Sequence, residues 1–167
     1  FPYWQAITTV IRGWALAAEG RARQGLSEAK RGQAMLTSLD ASLMPYADTL
    51  IADIQGEVGD PAGGLRTADD ALRAASESGM TAFMSMTWRI KGDLQVMNRM
   101  DAEGAAACYR KALDIAKRQH ALMFELQAAL ALARLQAQQG AHAAARRALS
   151  EVYHRFERGT GAPDLDA

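Results

Sequence analysis

Apolar side chains recur at three- and four-residue intervals along nearly the whole chain, broken by short polar punctuation. Between Ala105 and Leu135 the series runs Ala112-Leu113, Ile115-Ala116, then Leu126, Leu130 and Ala133. That is the period of an α-helix with one buried face. Small residues stand where two helices must approach closely. The stretch reads as the second helix of one helical pair running through a short turn into the first helix of the next.

The small residues repeat. Gly13, Gly20, Gly25 and Gly32 are followed by Ala52, Gly59, Gly64 and Ala71. Then come Gly92, Ala105 and Ala112, with Arg99 at the turn position, and last Ala133, Gly140, Ala145 and Val152. Corresponding positions lie 39 to 41 residues apart, which identifies a repeat array. In each unit the first small residue lets a second helix (B) cross the first (A). The glycine seven residues on closes helix A, because glycine alone takes the left-handed cap conformation without penalty. The next small residue faces helix A, and the last is expected to pack on helix A of the following unit. The pattern predicts helices over 3–19 and 26–39, 45–58 and 61–78, 80–99 and 102–119, and 121–139 and 142–157. Asp60-Pro61 and Ser27 serve as helix starts. One domain over 1–157 is expected, with repeats of about 1–40, 41–79, 80–120 and 121–157 and a tail over 158–167.

Composition narrows the function classes. Nineteen basic and nineteen acidic residues cancel, so no net field favours nucleic acid or an anionic membrane. No apolar run reaches the roughly 18 residues that a membrane span needs. A single cysteine, Cys108, allows no internal disulfide and fits a reducing, cytoplasmic setting. The start Phe1-Pro2-Tyr3-Trp4 lacks the form of a signal peptide, and the missing initiator Met suggests a piece of a larger protein.

Candidate chemistry is sparse. His120, His142 and His154 have no i,i+4 partner and join no Cys or Asp pattern, so capping or exposed roles are expected and no metal site. Cys108 sits among alanines, as a small buried residue would. Gly63-Gly64 lacks the glycine spacing and the Lys-Ser/Thr of a phosphate loop, and no cofactor is implied. Asp69-Asp70 reads as a charged helix face, while Asp101 and Glu103 open a helix where negative charge meets the dipole favourably. Arg21-Arg23, Lys30-Arg31, Lys117-Arg118 and Arg146-Arg147 are interspersed with acids and read as solvated faces. Met80, Met84, Met86, Met97 and Met100 fill a core or make an adaptable surface, with core filling favoured.

The small-residue register resembles the tetratricopeptide repeat, best in Ala105-Cys108-Tyr109-Ala112-Leu113. The period near 40 exceeds the usual 34, and Leu, Ala and Met replace most consensus aromatics. A HEAT-type array, with a period of about 40–47, is the alternative. A closer resemblance rests on several segments: Phe1-Pro2 with Ile11-Arg12-Gly13-Trp14-Ala15-Leu16-Ala17, Met44-Pro45-Tyr46, Trp88-Arg89-Ile90-Lys91-Gly92-Asp93-Leu94 and Ala107-Cys108-Tyr109-Arg110-Lys111-Ala112-Leu113. Glu125-Leu126-Gln127-Ala128-Ala129, Val152-Tyr153, Phe156, Gly159 and Pro163-Asp164-Leu165 complete it. These are similar to the C-terminal tetratricopeptide region of large bacterial signalling proteins. There, a class III nucleotide cyclase or winged-helix domain and a STAND-type ATPase precede the repeats. The resemblance is strongest from Trp88 onward; over Asp40–Thr87 the methionines replace the family's polar and aliphatic mixture. A short helix usually follows the Pro-Asp-Leu, so the last repeat is expected to lack its cap.

The resemblance implies an all-α, right-handed superhelix of about four antiparallel helix pairs, without enzymatic activity, acting as an interaction or sensor segment. Any cyclase or ATPase chemistry lies in other domains. A protein or peptide, or another domain of the same polypeptide, would occupy the concave groove; a homodimer is the structural alternative. On the tetratricopeptide register the groove residues are Trp14, Tyr46, Thr49, Asp53, Arg89, Asp93, Val96, Arg134 and Gln138. Against this, the same residues could simply solvate the groove or bond to neighbouring helices.

Overall fold

The computed structural model describes residues 1–39, 42–99 and 101–159. Eight helices follow one another: α1 (Pro2–Ala18), α2 (Ala22–Ser38), α3 (Met44–Glu57), α4 (Pro61–Ser78), α5 (Met84–Arg99), α6 (Ala102–Arg118), α7 (Leu122–Gln138) and α8 (His142–Gly159). No strand occurs among the described residues, so the fold is all-α. The expected Met100 and the tail from residue 160 lie outside the described residues.

Local chemistry explains the boundaries. Gly20, Gly59 and Gly140 take φ of 82°, 86° and 80° and close α1, α3 and α7 in the same way. In each case the glycine N–H and the following N–H return to carbonyls of the last helical turn, as in Gly20 N to Ala17 O and Arg21 N to Leu16 O, both 2.9 Å. His120, with φ of 54°, closes α6 by the same pair of bonds. Asp60 accepts the Gly63 N–H at 2.8 Å and Asp101 accepts that of Gly104 at 2.9 Å, each satisfying an orphan donor of the first turn. Asp60→Ala is therefore expected to cost about 0.5–2 kcal/mol in chemical denaturation, with Arg66→Ala on the exposed face of the same helix as the near-neutral comparison.

Two expected helix starts move. The second helix begins at Ala22 rather than near residue 26, and Ser27 lies inside it. The Gly20 closure delivers the chain directly into the next helix, so a serine cap is not required. The fifth helix begins at Met84, not residue 80, because Gly79 (φ 75°) is followed by a turn in which Met84 N bonds Thr81 O at 3.1 Å.

Packing between partners depends on missing side chains. A Cβ on Gly13 would stand 2.5 Å from Gly25 O and 2.6 Å from Ala29 N, and one on Gly32 would stand 2.7 Å from Ala6 O. Backbone thus lies against backbone where α1 and α2 cross. Gly32 was expected to meet the next unit, yet it faces α1 of its own unit. Seven residues advance a helix by almost two full turns, so Gly25 and Gly32 share one face.

Each helix packs on its neighbours in sequence. In addition α1 touches α3, α3 touches α5 and α5 touches α7, whereas no such contact joins α2 to α4, α4 to α6 or α6 to α8 among the described residues. The odd-numbered helices form a continuous row with the even-numbered ones outside it. The core lies between successive pairs. Leu36, Leu50 and Ile54 pack with Ala6 and Val10 at the first junction. Ile90 and Leu94 pack with Ala52 and Ala68 at the second, and Leu132 and Leu135 with Ala105 and Tyr109 at the third.

Candidate functional site

Residues in equivalent register stack along the row of odd-numbered helices. Trp14, Asp53, Asp93 and Arg134 occupy one position in α1, α3, α5 and α7; Ala18, Glu57, Met97 and Gln138 occupy the position one turn further on. Because the repeat is nearly constant and the row is continuous, these two columns run side by side along one surface. They border a solvent-open cavity of about 530 Å³ spanning α3, α5 and α7. A second cavity of about 230 Å³ lies between α1 and α3 and shares Asp53 and Glu57 with the first.

Of the residues expected in a groove, Asp53, Arg89, Asp93, Val96, Arg134 and Gln138 line the larger cavity together. Trp14 lines the smaller one, its indole N–H donating to Asp53 Oδ2 at 2.8 Å. Two do not belong. Thr49 is fully buried; its hydroxyl lies 2.7 Å from that of Thr87 and donates to Pro45 O at 2.8 Å. It sits in the seam where α3 meets α5, too deep to reach a partner. Tyr46 is half-buried with its ring 4.3 Å from that of Phe83, which in turn meets Phe124 at 6.5 Å. This aromatic row fills the junctions near the helix starts, away from the cavity.

Tyr109 is the unforeseen member. It belongs to α6, an outer helix, and is 3% exposed. Its ring crosses α5 at Gly92, where a Cβ would stand 2.5 Å from Cε1 and 2.8 Å from Cδ1. Through that notch the phenol donates to Asp93 Oδ1 at 2.7 Å. The signal in the sequence was a tyrosine at the register position that holds Ala29 and Ala68 in earlier units, opposite a glycine. Glu57, Met97, Gln127, Leu130, Ala131 and Leu135 complete the cavity lining. They follow from the same register one turn along or one face around.

The electrostatics centre on Asp93. Arg89 Nη1 donates to its Oδ2 at 2.5 Å while Tyr109 holds Oδ1. Burial pushes the Asp93 carboxyl above its ordinary value; Arg89, the tyrosine bond and Arg134 pull it back, while Asp53 raises it again. Burial also drives the Tyr109 phenol far upward, and the neighbouring Asp93 charge adds to this. The cluster is a fixed wall. Arg134 and Glu57 stand exposed on the same surface and present charge of opposite sign to anything that enters.

Reactive groups lie elsewhere or are inert. Cys108 is 5% exposed, its thiol donates to Gln95 Oε1 at 3.2 Å, and burial raises its pKa. That keeps it protonated, as a packing residue. His120 is exposed in the turn after α6, His142 and His154 are exposed at the start and in the second half of α8, and no group of three or more His, Cys, Asp or Glu side chains could hold a metal ion among the described residues. Met86 packs into the junctions on either side of α3, whereas Met97 is 53% exposed at the cavity rim, so the methionines divide between the two expected roles. Asp69 and Asp70 are exposed and paired with Lys91 and Arg73, a charged face as expected. No family model matches this chain, and no curated protein is similar enough in sequence to be matched to it.

Proposed function

We propose that this chain is a non-catalytic interaction module: a right-handed, tetratricopeptide-like superhelix whose odd-numbered helices line a concave groove for an extended peptide or a helix. Contacts along the inner row and, among the described residues, none along the outer one favour curvature with the odd-numbered helices inside. The carrying observation is the cavity across α3, α5 and α7, where a buried ion-paired wall stands beside exposed Arg134, Glu57 and Met97. A fixed polar wall with an adaptable thioether and charges of both signs suits recognition of a mixed polar and apolar segment. No described helix is long and apolar enough to cross a membrane, and the balanced charge argues against nucleic acid as the partner.

The resemblance to bacterial cyclase- and ATPase-type signalling proteins places such a module after a catalytic or DNA-binding domain. In that setting a partner in the groove changes how the module packs on its neighbour, which makes it a sensor.

A randomised peptide library selected on the immobilised chain tests the groove. Binders are then measured by fluorescence anisotropy against the wild type, Arg134→Glu, Glu57→Lys and the outer-helix control Lys30→Glu, all at exposed positions. Affinity is expected to fall tenfold or more in at least one groove variant and to hold in the control. Binders indifferent to both groove variants, or a library that yields none, would count against the reading.

A further inference from the structure

Charge along the groove has a direction. Asp53 and Glu57, one turn apart on α3, line one side of the larger cavity, and Arg134 on α7 lines the other. Between them α5 supplies Arg89 and Asp93, which are bonded to each other and cancel. None of Asp53, Glu57 and Arg134 forms an ion pair among the described residues. Asp53 is met by the uncharged indole N–H of Trp14, which leaves its charge in place. Arg21 borders a neighbouring cavity with Glu57, yet it is turned to Gln24 and Glu19.

The two ends are far enough apart to act separately. Neighbouring helices in a row stand about 8–10 Å apart, which puts α7 about 16–20 Å from α3. That exceeds the roughly 8 Å over which exposed charges feel each other at physiological salt. An extended chain, at about 3.3 Å per residue, crosses the span in about five or six residues. Over the middle, exposed Met97 and half-buried Val96 and Leu130 line the cavity and offer apolar contact to central side chains. Gln127 and Gln138, exposed on α7, each carry an amide donor and acceptor. These suit the peptide groups that an extended backbone, unlike a helix, leaves unpaired.

We propose that the groove selects an extended bipolar peptide. A Lys or Arg lies over Asp53 and Glu57, an Asp or Glu about five or six residues away lies over Arg134, and apolar side chains fill the middle. This polarity fixes which way the ligand lies, because the reverse placement sets like charge against like at both ends. A uniformly basic, uniformly acidic or uncharged peptide satisfies at most one end. The assignment rests on the groove being a binding surface, and the two can fail separately.

A phage-displayed library of random octapeptides, selected on the immobilised chain, supplies the probes. Selected peptides are expected to carry opposite charges near their two ends with apolar residues between. Each is synthesised as selected, with its basic residue changed to Glu, and with its acidic residue changed to Lys. All three are titrated by fluorescence anisotropy against the wild type, Glu57→Lys and Arg134→Glu, and circular dichroism checks that both variants keep the helical fold. Glu57→Lys is expected to weaken the selected peptide about tenfold and to regain that factor only with the peptide whose basic residue became Glu. Arg134→Glu is expected to regain affinity only with the peptide whose acidic residue became Lys. Binders that need the groove charges but show no bipolar pattern, or that regain affinity with neither peptide or with the opposite one, overturn the bipolar assignment and leave the groove standing. Binders indifferent to both variants, or a library that yields none, overturn both.

Discussion

Leu94→Ala is expected to lower the unfolding free energy by about 2–5 kcal/mol, a large share of the roughly 5–15 kcal/mol that a domain has. Leu94 is 1% exposed and projects from α5 into the preceding pair. Cβ atoms built on Gly56 of α3 and Gly64 of α4 would stand 2.9 Å and 2.8 Å from its Cδ2. The leucine thus fills a hole lined partly by two residues without side chains. Backbone cannot collapse into the space that the mutation opens, so the cavity persists and the cost falls toward the high end. The hole itself supplies the decisive comparison. An alanine at Gly56 meets the side chains of Leu94 and Met97, so the closest clash disappears once Leu94 is shortened, the flexible Met97 side chain 3.2 Å away shifts slightly, and helix propensity then favours alanine by about 1 kcal/mol. Gly56→Ala is expected to be more favourable in the Leu94→Ala background than in the wild type. Urea denaturation of the four-member cycle measures the coupling; additivity within error would mean that Leu94 does not occupy that hole.

Much of this arrangement was legible because it depends on spacing alone. The repeat of 39 to 41 residues, the small residues at the crossings and the turn glycines predict eight helices in pairs. They also bring six of the nine expected groove residues to one cavity. What spacing could not supply was depth. Thr49 and Arg89 hold the same register position one unit apart, yet Thr49 is sealed against Thr87 while the longer Arg89 side chain reaches the cavity wall. Tyr46 likewise has an aromatic neighbour, Phe83, that draws it into the junction. Helix phase misled in a different way: Gly32 was assigned to the next unit although its distance from Gly25 returns it to the same face. The α2 start was missed because the glycine closure needs no Ser cap. Tyr109 escaped because it reaches the site from the outer layer, through a glycine notch that the repeat pattern marks only as a close approach.

Tyr109→Phe isolates the hydrogen bond that holds the cavity wall, since the phenylalanine ring still fills the Gly92 notch. The phenol donates to Asp93 Oδ1 at 2.7 Å, and a bond to a charged acceptor contributes about 1.5–3 kcal/mol; near pH 7 the variant is expected to be less stable by that amount. The pH dependence distinguishes the bond from a packing effect. The Tyr109 pKa is raised in the folded state, by burial first and by Asp93 next. Its contribution is therefore fully present below the ordinary tyrosine value of 10.0 and is lost as pH rises beyond it, because the unfolded chain releases the proton while the folded one retains it. Above pH 10 the wild type is expected to lose stability more steeply than the variant, and the gap between them narrows. At the acid end the sign is set by Asp93, whose carboxyl burial also holds above its ordinary value. Without the tyrosine hydroxyl that shift grows, so ionising Asp93 costs the variant more and the gap opens as pH climbs through the carboxylate range. Urea midpoints from acid to alkaline pH should trace a difference that is small in acid, greatest near neutrality and smaller again above pH 10. A difference constant across that range would assign the effect of the substitution to packing and remove the Tyr109–Asp93 bond as the strut of the wall.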